Sequence, residues 1–70
     1  LFFSPETRRT VARLLHRIEY DIAAECAVME LHELCVREGI FYDYLSDFIA
    51  DVCVHEEKVR AILRDVLEEI

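Results

Sequence analysis

The stretch Cys35-Val-Arg-Glu-Gly-Ile-Phe-Tyr-Asp-Tyr-Leu45 (CVREGIFYDYL) contains Gly39, the only glycine of the chain, and helical patterns extend on both sides of it. Glycine adopts the left-handed backbone conformation that commonly ends a helix without a steric cost. We therefore predict that Gly39 caps one helix and that residues 39–41 turn the chain into a second. A single long helix kinked at Gly39 is the alternative.

The region before Gly39 predicts one long helix. Ser4 and Pro5 are a strong helix start, because a Ser side chain caps free N–H groups and Pro lacks a donor that would have no partner there. No further Pro and no Gly follows before Gly39. The predicted helix therefore spans residues 5–38 and is roughly 50 Å long at 1.5 Å per residue.

The region after the turn predicts a second long helix over residues 42–70, because its apolar residues follow a heptad pattern. The weakest point of this pattern is the polar run from His55 to Glu57. The main apolar positions are Leu45, Phe48, Val52, Val59, Ile62 and Val66. The expected fold is all-α, an antiparallel hairpin of two long amphipathic helices.

Two apolar stripes run along the first predicted helix, on roughly opposite sides. The stripe that matches the second helix comprises Val11, Leu15, Ile18, Ile22, Cys26 and Met29. The other stripe comprises Ala24, Ala27, Val28, Leu31, Leu34 and Cys35. One neighbouring helix needs only one apolar stripe of about 100°, so we expect the second stripe to contact another chain. Leu31→Glu should then spare the fold, and Ile22→Glu should unfold it.

Three arginines extend the second stripe towards the N-terminus at intervals of four residues. We expect the apolar half of this surface to supply affinity and the arginines to orient a partner through its acidic groups. The predicted contact set is Arg9, Arg13, Arg17, Ala24, Ala27, Val28, Leu31, Leu34 and Cys35. The favoured assembly is a homodimer that forms a four-helix bundle. In the alternative, the chain is a helical ligand wrapped by a different small helical protein in a hetero-complex.

The composition limits the classes of function. The chain has 70 residues, of which 54% are hydrophobic, and a formal net charge of −7. Residues 1–17 carry +3, residues 18–57 carry −10, and residues 58–70 are neutral. An acidic chain repels phosphate backbones, which argues against nucleic acid as a partner. Because the chain starts at Leu1, we expect a single interaction domain cut from a larger scaffold or regulatory protein.

The cysteines and the longest apolar stretch indicate an intracellular protein, cytoplasmic or nuclear, without a membrane partner. Three cysteines cannot all pair within one chain, which favours a reducing compartment. The longest apolar stretch, residues 22–36, is too short for a membrane span and is interrupted by charged residues.

Metal binding and catalysis have weak support in the sequence. His32, Cys35, Cys53 and His55 are zinc-type ligands, but in a hairpin Cys35 and Cys53 would be separated by about 10 Å along the axis. We therefore expect no metal and no cofactor, and we interpret the cysteines as small hydrophobic residues. The carboxylates spread along solvent faces without a pocket, so we expect a non-catalytic protein.

Overall fold

The computed structural model describes residues 4–68, and within this range the fold consists of α-helices joined by short turns. The helices are α1 (Pro5–Glu19), α2 (Ala24–Glu38), α3 (Tyr42–Val52) and α4 (Glu56–Leu67). The predicted all-α class is confirmed. The helices are short, however, and each of the two long helices expected from the sequence is divided into two.

The predicted start and end of the first helical region are confirmed. The Ser4 Oγ accepts a hydrogen bond of 3.1 Å from the Thr7 backbone N–H, and Pro5 is the first helical residue. Gly39 ends α2 with a left-handed backbone (φ 68°, ψ 35°), and its N–H donates to the Cys35 carbonyl. Both ends therefore follow from local capping chemistry.

Residues 20–23 interrupt the first predicted helix, so the expectation of one continuous helix is wrong. Asp21 and Ala23 have positive φ values of 57° and 50°, a conformation that costs non-glycine residues roughly 1–2 kcal/mol each. Arg17 offsets this cost, because its guanidinium donates to the carbonyls of Ile22 at 3.0 Å and Ala23 at 3.1 Å. The turn is thus stabilised by a charged side chain, without glycine or proline.

The second predicted helix is also divided, by an extended connection at Cys53 (φ −97°, ψ 138°). The Glu19 carboxylate, which reaches over from α1, accepts a hydrogen bond from the His55 backbone N–H and caps the start of α4. Glu56 and Glu57 place negative charge in the first turn of α4, where the helix dipole favours it. The polar run inside the heptad pattern is therefore the start of a separate helix.

The helices form two short hairpins around one hydrophobic core. α1 packs along α2, α3 packs along α4, and α4 also contacts α1 and α2. The longest dimension is 27 Å, about half of what a continuous helix over residues 5–38 would require. The buried apolar residues are Val11, Leu14, Leu15, Ile18, Ala27, Leu31, Leu34, Cys35, Ile40, Leu45, Ile49, Val59 and Leu63.

The turn at residues 20–23 changes which apolar stripe of α2 faces the core. On the first predicted stripe, the buried residues are Val11, Leu15 and Ile18, and the exposed ones are Ile22, Cys26 and Met29. On the second, Ala27, Leu31, Leu34 and Cys35 are buried, and Ala24 and Val28 are half-buried. The expected exposed second stripe is therefore wrong. Because the turn reverses the chain, the stripe expected to lie opposite the core packs against α1.

Candidate functional site

The outward side of α2, together with the turn before it, exposes large apolar side chains. Met29 is 65% exposed, Val36 57% and Ile22 51%, and Cys26 is exposed as well. Helical spacing places Cys26, Met29 and Val36 away from the buried side of α2. We call Ile22, Cys26, Met29 and Val36 the outer surface of α2.

A groove of about 400 Å³ lies beside this surface, between α2 and α4. Its lining residues are Val28, Met29, His32, Glu33, Asp65 and Val66. Val28 and Val66 are half-buried, whereas Met29, Glu33 and Asp65 are exposed. The α2–α4 groove therefore has apolar walls and acidic side chains at its rim.

The two carboxylates at the rim have no ion-pair partner among the residues that the structure describes. Among residues 4–68, neither Glu33 nor Asp65 forms an ion pair. Glu33 also borders a smaller cleft of about 210 Å³ between α1 and α2, which Arg13 and Arg37 line as well. Arg37 is paired with Glu38 at 3.8 Å. Among the described lining residues of the α2–α4 groove, the ionisable ones are Glu33, Asp65 and His32, without a Lys or Arg.

The arginines predicted to orient a partner lie in different environments. Arg9 and Arg13 are exposed on α1, and no carboxylate of the described range 4–68 pairs with them. Arg17 is half-buried, stabilises the turn before α2, and pairs with Glu30 at 3.3 Å. The predicted continuous surface of arginines and apolar residues is not formed, because α2 folds back on α1.

Glu19, a buried carboxylate at the end of α1, was not predicted from the sequence as a residue of interest. Glu19 is only 4% exposed, and Lys58 Nζ donates to its backbone carbonyl at 2.8 Å and to Asp21 at 3.1 Å. Glu19 follows Leu15 by four residues, which places it on the core-facing side of α1. This spacing is the feature of the sequence from which the burial of Glu19 could have been predicted. The contacts join the turn after α1 to the start of α4, which is a structural role.

The residues considered for zinc do not come together. Cys35 is buried on the inner side of α2, His32 lines the groove, and Cys53 and His55 belong to the connection before α4. The His55 ring instead lies edge-on to Tyr20, with ring centroids 5.9 Å apart. Within residues 4–68, no three or more His, Cys, Asp or Glu side chains are grouped so that they could hold a metal ion.

Two of the cysteine thiols are poor nucleophiles in this fold. Burial raises the pKa of Cys35 to about 11. Burial, together with the nearby carboxylates of Glu19 and Glu56, raises the pKa of Cys53 to about 11. Cysteine nucleophiles react as thiolates, which require a lowered pKa. Cys35 and Cys53 are therefore protonated at neutral pH.

Comparisons of the chain with protein-family models, with curated proteins and with solved structures found no match. Among the helices of the described range, none has both the length and the apolar character needed to cross a membrane. The outer surface of α2 and the α2–α4 groove are thus identified from burial, shape and charge.

Proposed function

We propose that the chain is a non-catalytic protein–protein interaction domain whose contact surface is the outer surface of α2 together with the α2–α4 groove. The observation that supports this most is the exposure of Met29 (65%) and Val36 (57%) on a helix whose other side already fills the core. Complete burial of a Met or Val side chain contributes about 1.5–3 kcal/mol. Several large apolar side chains exposed beside polar residues are typical of an interaction site.

The chemistry of the remaining residues supports a non-catalytic role. Catalytic acids and bases depend on enclosed surroundings that shift their pKa, whereas Asp43, Asp47 and Asp51 are all exposed along α3. The raised pKa values of Cys35 and Cys53 disfavour thiol chemistry at neutral pH.

The proposed setting is a scaffold or regulatory protein inside the cell. Cys26, Cys35 and Cys53 are all free thiols. Reducing compartments such as the cytoplasm and the nucleus keep thiols in this state.

The apolar part of the surface predicted from the sequence for self-association is largely buried in this fold. Contact through Leu31, Leu34 and Cys35 would require these residues to leave the core. Homodimerisation through another surface stays a prediction, and so does the role of a helical ligand held by a different helical protein. Both would be compatible with a partner that covers Met29.

Two substitutions of exposed apolar residues test the proposal. Met29→Glu places a charge on the proposed contact surface. Val54→Glu is the matched control, because Val54 is 76% exposed but lies outside both the outer surface of α2 and the groove. Neither variant should change helicity or thermal unfolding, since surface substitutions usually alter stability by about 0.5 kcal/mol or less.

The measurements are protein mass by light scattering over a range of concentrations, and capture of partners from cell extract by the tagged chain. Met29→Glu should weaken a self-association or a captured interaction by about tenfold or more. Val54→Glu should retain it. Indistinguishable binding by the wild type and both variants would refute the proposed surface.

A further inference from the structure

We infer that the partner of this surface is a cationic amphipathic helix from a different protein. It lies in the α2–α4 groove with apolar side chains against Val28, Met29 and Val66 and with Lys or Arg side chains near Glu33 and Asp65. The inference rests on the proposed function and adds the chemical class of the partner.

The shape of the groove suits a helix. The groove lies between two helices, and its volume is about 400 Å³. An amphipathic helix fills such a groove with side chains spaced at i, i+3, i+4 and i+7. Met29 contributes an unbranched thioether that adapts to different apolar neighbours. Val36, two turns further along α2, is also exposed, so a partner helix of several turns finds apolar contacts beyond the groove.

The charge of the groove selects a basic partner. Glu33 and Asp65 lack ion pairs within residues 4–68, and Glu25 is exposed one helical turn before Met29. Lys58 lies on the same side of α4 as Asp65, but it already forms an ion pair with Asp21 in the turn before α2. Lys or Arg side chains of a partner would meet unpaired carboxylates, whereas an acidic helix would be repelled.

The outward sides of α1 and α3 do not supply such a helix from a second copy of the chain. On α1, the exposed Arg9 and Arg13 have no large aliphatic side chain beside them on the outward side. On α3, the outward residues Asp43, Asp47 and Asp51 are acidic, so they would be repelled by the rim of the groove.

The outward sides of α2 and α4 also fail as partners. Two copies of α2 in contact would bring Glu25 and Glu33 of one chain close to the same acids of the other. On α4, the exposed cation Arg64 lies one helical turn after the small Ala61. Among the side chains that the structure describes, no side of a helix therefore combines large aliphatic residues with free cations, which favours a different protein as the partner.

Two synthetic peptides of about 18 residues, long enough to form a helix on binding, test the inference on the intact chain. Both carry Leu at the same positions along one side. One has Lys and Arg at the flanking positions, and the other has Glu there. Titration of the ¹⁵N-labelled protein, followed by NMR, reports both the affinity and the residues contacted.

We expect the basic peptide to bind about tenfold or more tightly than the acidic one. It should shift the resonances of Val28, Met29 and Val66, and its affinity should fall as salt is added. In a variant with Glu33→Lys and Asp65→Lys, the preference should reverse.

The matched control is the double variant Asp43→Lys with Asp47→Lys. It makes the same change of net charge on α3, outside the groove, and should keep the preference for the basic peptide. Equal or tighter binding of the acidic peptide, shifts confined to other surfaces, or a homodimer abolished by Met29→Glu would overturn the inference. If Met29→Glu still disrupts a partner or a dimer, the proposed function stands and only the partner's class is wrong. If it disrupts neither, the proposed function fails as well.

Discussion

α1 and α2 are both fifteen residues long and pack along each other, but they differ in where their apolar residues lie. The side of α1 away from the core carries Arg9, Arg13 and His16, all exposed. α2 is apolar on both sides, with Leu31 buried and Met29 exposed. The fold therefore buries all the large aliphatic residues of α1, whereas on α2 it buries Leu31 and Leu34 and leaves Met29 and Val36 exposed. The surplus on α2 is the basis of the proposed contact surface.

The largest effects should come from substitutions that compare the two sides of α2. Leu31→Ala should lower the free energy of unfolding by about 2–5 kcal/mol because it leaves a cavity in the core. Met29→Ala should change it by about 0.5 kcal/mol or less. Likewise, Leu31→Glu should unfold the chain and Ile22→Glu should not, the reverse of the expectation from the sequence. Urea denaturation followed by circular dichroism measures these differences, and equal losses at both sites would contradict the fold.

The next largest effect concerns the buried carboxylate that joins α1 to α4. Glu19→Ala removes the acceptor for the His55 backbone N–H and should cost about 1–3 kcal/mol. Glu19→Gln should retain most of the stability, because its amide oxygen can still accept this bond. Glu25→Ala, at an exposed acid of α2, is the matched control and should cost about 0.5 kcal/mol or less. If Glu19→Ala is as mild as the control in thermal or urea unfolding, the cap does not stabilise α4.

These two comparisons explain which parts of the fold could be predicted from the sequence. The caps at Ser4 and Gly39 could be predicted, because the chemistry that forms them lies within a few residues. The turn after α1 could not, because it contains no glycine or proline and depends on Arg17 and on Lys58, a residue of α4. The break before α4 depends on Glu19, whose carboxylate accepts a hydrogen bond from the backbone N–H of His55, 36 positions further along the chain.

The candidate site was missed for the same reason. A helical projection of residues 5–38 identifies two apolar stripes. It treats these residues as one continuous helix, so each stripe is expected to keep the same direction along its whole length. The reversal at residues 20–23 places Leu31 inside and Met29 outside. Of the predicted contact set, Val28 lines the groove, while Arg9 and Arg13 are exposed on another helix.

A smaller effect is expected when the ends of α2 are compared. Ala23 and Gly39 both have left-handed backbones, with φ of 50° and 68°. Ala23→Gly should relieve backbone strain and raise the free energy of unfolding by a few tenths to about 1 kcal/mol. Gly39→Ala should lower it by about 1 kcal/mol. Thermal unfolding of the two variants measures both. Destabilisation by Ala23→Gly would show that this turn is not strained.

The smallest effect on stability concerns two thiols on opposite sides of α2. At pH 8 a thiol reagent should modify the exposed Cys26 quickly and the buried Cys35 only when the chain opens. Burial raises the pKa of Cys35 from 9.0 to about 11, so the unfolded chain loses this proton first as the pH rises. The stabilising contribution is complete below pH 9 and should decline between pH 9 and 11. Peptide mapping after modification identifies the thiol, and equal rates at both would contradict the assignment of sides.

The fold and the proposed surface both depend on the reversal of the chain at residues 20–23, which places α2 against α1. The most direct measurement is the nuclear Overhauser effect between the methyl groups of Leu14 and Leu34, which border the same cleft between the two helices. In a continuous helix these residues would lie about 30 Å apart. We predict a clear cross-peak within one chain, verified in a sample that mixes labelled and unlabelled protein. Absence of this cross-peak, with an unbroken helical pattern through residues 20–23, would contradict the fold and the surface derived from it.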